Sequence, residues 1–262
     1  MPAIKVLPDL LISQIAAGEV VERPAAALKE LLENSLDAGA GEISVQLAGG
    51  GTKLIKVSDD GAGIPRDEVK LALARHATSK IASLDDLERV ASLGFRGEAL
   101  ASIASVSHLT LTSRRNGDQH AWTVTASGAS VSKASPAALA AGTSAEVRDL
   151  YFNTPARRKF IKSEATEYAH CEEAFKRIAL SRPETGFTLQ HNGRAQWSLK
   201  PQPLQERVAA LLGDDFHAAA LPVEAASSGL RLAGAIGLPA HARATREAQY
   251  FFVNGRDRKS VV

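Results

Sequence analysis

The stretch Pro24 to Gly39, PAAALKELLENSLDAG, constrains the chain more than any other. Proline suits the first turn of a helix, where its missing N–H would have had no partner, and glycine suits the left-handed stop. Between them Leu28, Leu31, Leu32 and Leu36 recur at helical spacing. At about 100° per residue, Glu30, Asn34 and Asp37 then share the opposite face, with Glu33 on its flank. Two readings are open at this point. The stripe is a solvated helix face, or it is an oxygen-rich face that holds a hard cation and a polarising base.

Around this helix the sequence alternates short elements. EISVQLA (42–48) and KLIKVS (53–58) read as strands joined at Gly49-Gly50-Gly51. DDGAGIP (59–65) is a polar glycine loop directly after a strand, and a helix is expected over Asp67–Arg75. His76–Phe95 is long and rich in small polar residues, and GFRGEAL opens a helix over 99–105. Strands then dominate at 108–114, 120–126 and 142–150. A Pro/Ala-rich connection separates the last two, and a long helix follows from Ser163 to Leu180. Asn192-Gly193 is the strongest hairpin dipeptide. Pro201-Gln202-Pro203 marks a boundary, which divides the chain into 1–200 and 201–262. Beyond it the pattern predicts a helix at 204–212 and strands at 230–236 and 250–253. That second unit is too short to bury a convincing core by itself.

Several function classes are excluded. The single cysteine, Cys171, allows no internal disulfide framework or cysteine zinc site, and it fits a reducing, cytoplasmic compartment. No apolar run approaches the ~18 residues of a membrane span, so no membrane partner is expected. There is no GxxxxGK[ST] loop, and Gly61-Ala62-Gly63 lacks the third glycine of a dinucleotide fingerprint. The charge is uneven. Residues 1–150 carry 15 Lys/Arg against 18 Asp/Glu, and residues 151–262 carry 16 against 11. A polyanion contact is therefore expected in the second half.

ENSLDAG, DDGAGI, ARHATSKI, GFRGEAL and YFNTPARRKF, in this order and spacing, resemble the N-terminal region of the MutL family of DNA mismatch repair proteins. The resemblance covers nearly the whole chain. GFRGEAL and NTPARRKF are specific to that family, whereas the ENS…DDGAG pair is shared with gyrases, Hsp90 chaperones and histidine kinases. It implies an α+β fold: a two-layer α/β sandwich of that ATPase superfamily, followed by a truncated second α/β domain of the ribosomal protein S5 domain 2-like type.

By the resemblance, ATP and Mg²⁺ are the cofactors. Glu30 is the general base that polarises water, Asn34 ligates Mg²⁺, Asp59 accepts from the adenine amino group, and Gly63 lets the base approach. Thr78, Ser79 and Lys80 belong to a lid. Gly94, Phe95, Arg96, Gly97, Glu98, Ala99 and Leu100 surround the triphosphate, and Thr143 supports adenine from the sheet. Arg157, Arg158, Lys159, Lys162, Arg177, Arg256 and Arg258 become candidates for DNA phosphates. Few aromatics are interleaved among them, so base stacking is expected to be minor and binding to single or double strands non-specific. The implied partners are the mismatch-recognition protein MutS, a downstream nuclease or helicase, and a second copy in the ATP state.

Two departures bear on this. Asp60 stands where the family usually has Asn, which is expected to add negative charge near the nucleotide. The family's second-domain lysine to the γ-phosphate has no match in FFVNGRDRKSVV, so the alternative expectation is an ATP-gated clamp with hydrolysis weak or lost. Asp118-Gln119-His120-Ala121 imitates the start of a metal-endonuclease motif, but Val124 stands where that motif needs glutamate.

Overall fold

The computed structural model describes residues 7–78, 97–241 and 249–258. Helix α1 (Asp9–Val20) leads into α2 (Pro24–Asp37), which starts and stops where its proline and glycine predict. Pro24 occupies the first turn, and Gly39 is left-handed at φ 73°. The strands are β1 (Glu42–Ala48), β2 (Leu54–Asp59), β3 (His108–Arg114), β4 (Ala121–Ser127), β5 (Ser130–Val131), β6 (Ser135–Ala137), β7 (Gly142–Arg148), β8 (Gly186–His191) and β9 (Arg194–Leu199). They form one mixed sheet in the order β5-β4-β3-β7-β2-β1-β8-β9, with β6 beside β4. Among the described strands only β1 and β8 pair in parallel; the chain reaches β8 from β7 through α5 (Pro155–Arg158) and α6 (Glu164–Ser181).

The period-2 alternation of the strands places one side of each in the core: Ile43, Val45 and Leu47; Ile55 and Val57; Leu109 and Leu111; Phe187 and Leu189. Against them pack Leu28, Leu31 and Leu32 of α2, Ile103 of α4 (Ala99–Ser105), and Cys171, Phe175 and Ile178 of α6. Each such side chain contributes about 1.5–3 kcal/mol on burial, and this two-layer arrangement fixes α2 along the sheet. Burial also raises the Cys171 thiol to about 12, leaving it a small apolar residue.

Three expectations about elements are corrected. The helix expected over Asp67–Arg75 is two short pieces, α3 (Arg66–Val69) and a 3₁₀ turn at Leu71–Leu73, because the chain is extended at Ala74. The loop YFNTPARRKF contains a short helix, α5. A strand, β10 (Ala220–Ser227), precedes the expected one, which runs Leu230–Gly237 as β11.

Beyond Pro203, α7 (Leu204–Leu212) joins the main core through Val208 and Leu211, so the sequence boundary at 201–203 is not a gap in packing. Its Arg207 is wholly buried. The guanidinium donates to the carbonyls of Ala179, Pro183, Thr185 and Lys200 at 2.8–3.1 Å. After α8 (Asp214–Ala218), β10 and β11 form a two-stranded sheet among the described residues and expose Leu221, Leu230, Leu232 and Ile236. A short pair, β12 (Phe252–Val253) and β13 (Arg256–Asp257), lies against α6.

Candidate nucleotide site

The site is organised where the end of β2 meets α2 and the start of β7. Asp59, the last residue of β2, is register-paired with Thr143 of β7. Its carboxylate accepts from Ser35 Oγ at 2.7 Å, Gly61 N at 3.0 Å and Thr143 N at 3.2 Å. Three donors fix one orientation of the carboxyl. Burial nonetheless raises its pKa above the ordinary range, with the hydrogen bonds opposing and neighbouring Asp60 adding to the rise. A carboxylate held partly desolvated at a strand end is a strong acceptor for an incoming amino group.

Thr143 does more here than line a pocket. Its N–H holds Asp59, and its hydroxyl meets Ser113 Oγ at 2.8 Å; Ser113 Oγ in turn accepts from Ile64 N at 2.8 Å. Ser35 and Ser113 were not singled out from the sequence. Ser35 carries a faint signal, standing beside Asn34 in ENSLDAG, but Ser113 meets its partners only through sheet pairing.

Two glycines are required by close approach. A Cβ at Gly142 (φ 113°) would lie 1.9 Å from the Asp59 carbonyl oxygen, and one at Gly63 (φ 72°) would lie 2.3 Å from that of Arg114. Gly63 therefore also spends its missing side chain on close approach to the β3 terminus. Gly142→Ala is expected to lower stability by about 1–2 kcal/mol, through both the left-handed backbone and the displaced β2 end. Thermal unfolding with and without nucleotide checks this, since the displaced Asp59 should also weaken binding.

Glu30 and Asn34 are half-buried on the same helix as Ser35. Beside them Glu33 is raised in pKa by burial, opposed by Lys29 and reinforced by Glu30 and Asp37. Lys29 Nζ lies 3.5 Å from Glu33 Oε1, so the flank of the acidic stripe carries its own cation. An amide oxygen one turn from a carboxylate is a donor set that suits Mg²⁺, which takes one or two protein oxygens and completes its shell with phosphates and water.

Ser79, Lys80, Gly94, Phe95 and Arg96 lie outside the described residues. The two ends flanking them are in contact. A Cβ at Gly97 would meet the Ala77 carbonyl at 2.6 Å and Thr78 Cβ at 3.1 Å, and Glu98 Oε1 sits 3.0 Å from His76 Nδ1. Glu98 stands at the N-terminal boundary of α4 without a side-chain capping bond, and the first residues are Ala99 and Leu100, so the backbone N–H groups of that first turn lack helical acceptors. Leu100 packs partly on the core.

Asp60 is corrected. Its Oδ1 accepts from Gly41 N at 2.8 Å and Glu42 N at 2.9 Å, which ties its charge to the entry of β1. Two of the DNA candidates have partners within the chain. Arg177 pairs with Glu173 at 2.8 Å and Asp257 at 3.4 Å and lies over the Tyr250 ring, so it fastens the C-terminal strand pair to α6. The Arg157 guanidinium lies directly on the backbone of α1 at Gly18. Arg158, Lys159, Lys162 and Arg258 are exposed, and Arg256 is half-buried. Asp118, from the endonuclease-like motif, pairs with Arg115 at 3.3 Å.

Comparison with known proteins bears on the family and the fold. Residues 22–152 match the family described as histidine kinase-, DNA gyrase B- and HSP90-like ATPase, and residues 208–260 match the C-terminal domain of DNA mismatch repair protein. The chain is 62% identical over 254 residues to the DNA mismatch repair protein MutL of Thiobacillus denitrificans, covering 97% of this chain and 42% of that protein. To the MutL of Neisseria meningitidis it is 57% identical over 256 residues, covering 98% and 39%. It thus spans about two-fifths of the length of these curated relatives. Among solved structures, the Aquifex aeolicus MutL ATPase domain complexed with ADP is 32% identical with a TM-score of 0.69, covering 92% of this chain and 85% of that one. The N-terminal domain of a DNA repair protein, 21% identical with a TM-score of 0.79 over 95% and 78%, shares the fold. No helix among the described residues is long and apolar enough to cross a membrane.

Proposed function

Because the chain belongs to the MutL family of DNA mismatch repair proteins, as its N-terminal ATPase region, we propose that it binds ATP with Mg²⁺, hydrolyses it slowly, and uses the nucleotide state to control association with a second copy and with DNA. The observation that carries this reading is the Asp59 carboxylate, fixed by Ser35, Gly61 and Thr143 and raised in pKa by burial. Asp59 accepts the adenine amino group there. Asn34 would offer its amide oxygen to Mg²⁺, and Glu30 would orient and polarise the attacking water. Mg²⁺ supplies charge neutralisation on the phosphates. The chain's own part is to place Glu30, Asn34 and Ser35 along one helix over the end of β2.

By the family resemblance, Thr78, Ser79 and Lys80 belong to a lid, and Gly94, Phe95 and Arg96 with the N–H groups of Gly97–Leu100 would surround the triphosphate. Residues 1–200, together with α7 packed on their core, form the ATP-binding domain, and the residues that follow form part of a transducer whose cations, with Arg158, Lys159 and Lys162, contact DNA phosphates. In the cytoplasm, the ATP state would couple mismatch recognition by MutS to a downstream nuclease or helicase.

The test measures ATP binding and turnover side by side, then self-association with a non-hydrolysable ATP analogue, with ADP and with neither. The analogue should bring hydrogen-exchange protection over residues 76–95 together with dimer formation, and ADP should bring neither. A chain that binds no nucleotide overturns the reading. Dimerisation that ignores the γ-phosphate overturns the lid as the switch.

A further inference from the structure

We propose that Phe160 is a stacking platform for an unpaired base, so that the basic loop takes single-stranded in preference to duplex DNA; this rests on the DNA-binding reading above. Phe160 is 79% exposed. A lone exposed apolar residue is ordinary, but three features set this one apart. The first is its neighbourhood. Exposed Arg158 and Lys159 precede it and exposed Lys162 follows, while Ile161 between them packs against the core. An aromatic face among cations is the arrangement that tracks a strand's phosphates while stacking its bases.

The second feature is anchoring. The loop begins with Tyr151, whose hydroxyl donates to the Val21 carbonyl at 2.6 Å, and with Asn153, whose Nδ2 donates to the Ser105 carbonyl at 2.9 Å. It ends where Lys162 N donates to Glu167 Oε1 at 2.9 Å, and Glu167 is only 1% exposed. Between these ends Arg157 lies on Gly18, and Phe160 N donates to the Arg157 carbonyl at 2.9 Å. The ring is therefore presented by a segment fastened to α1, α4 and α6, and little ordering remains to be done on binding.

The third feature is a division of labour between the loop's two phenylalanines. Phe152 stacks on His108 with centroids 4.1 Å apart, while Phe160 faces outward. The expectation that stacking is minor came from the scarcity of aromatics near the cations. One rigidly held ring is enough to change the preference between single strand and duplex, because the bases of a duplex are already stacked on each other.

The experiment uses the chain as it is, with oligothymidylate and a duplex of equal length, each titrated across a salt series. Phe160→Ala should weaken single-strand binding by roughly 5- to 150-fold, the range expected for one stacked base, and leave duplex binding and both salt slopes unchanged. Phe160→Trp should restore affinity, and its added fluorescence should be quenched by the single strand. Lys159→Glu should weaken both polymers and flatten both slopes. ATP binding by each variant reports that the fold is intact. Equal loss on both polymers, no loss, or a shift in self-association without a change in single-strand affinity overturns the platform. Failure of the unmodified chain to bind either polymer overturns the DNA reading itself.

Discussion

Replacing Glu30 with alanine is expected to lower ATP turnover by roughly 10²–10⁴-fold while leaving ATP affinity near that of the unaltered chain, because a general base acts in the transition state and not in ground-state binding. Glu30 lies on the helix that also supplies Asn34 and Ser35, and that helix is held by Leu28, Leu31 and Leu32 in the core. Truncating a half-buried side chain on its outer face should leave this frame in place. Steady-state turnover and equilibrium binding measured on the same preparation separate the outcomes. Parallel loss of both would mean that Glu30 supports the phosphates or the helix and is not the base.

The second large effect is expected at Asp59, where function and stability should move in opposite directions. Asp59→Asn puts an amide N–H where an acceptor is needed, so a donor would face the adenine amino group. ATP affinity should fall roughly 10²-fold, and preference over GTP should be lost. Stability should not fall with it. Burial raises the Asp59 pKa, so folding favours the protonated carboxyl, and the ionised group is a net cost at neutral pH. That cost sets in as pH rises from the ordinary carboxyl range through the raised value. Asparagine can still accept from Gly61 and Thr143, and Ser35 can turn its hydroxyl to accept. The variant should therefore unfold at a higher temperature than the parent at pH 7, and the difference should vanish near pH 4 and below, where Asp59 is itself protonated. A variant less stable at pH 7, or one that keeps its preference for ATP, contradicts the assignment.

What could be read from the sequence was local. The bounds of α2 follow from Pro24 and Gly39, and β1, α4, α6 and the 192–193 hairpin follow from period and turn chemistry. The strand β10 was not legible because ALPVEAAS contains proline and lacks clean alternation; it is a strand only because β11 pairs with it. The site divides in the same way. Glu30, Asn34 and Asp59 stand in motifs with a family resemblance, while Ser113 and Gly142 acquire their roles from pairings across the sheet. Charge was the least legible property. Arg157 and Arg177 read as surface cations, yet one is laid on a helix backbone and the other is neutralised by two carboxylates more than one element apart. Composition counts charges without their partners.

The buried Arg207 has a consequence for anyone dividing this chain into fragments. Its guanidinium is gripped much as a crown ether grips a cation, by oxygens from the end of α6, the following turn and the residue after β9. A fragment cut at the Pro-rich boundary keeps the ring of oxygens and discards the cation, which leaves several carbonyls without a donor beside a newly opened apolar patch where Val208 and Leu211 had been. The natural unit for expression therefore ends after α7, at Leu212, some ten residues beyond the place where the sequence itself suggests a cut.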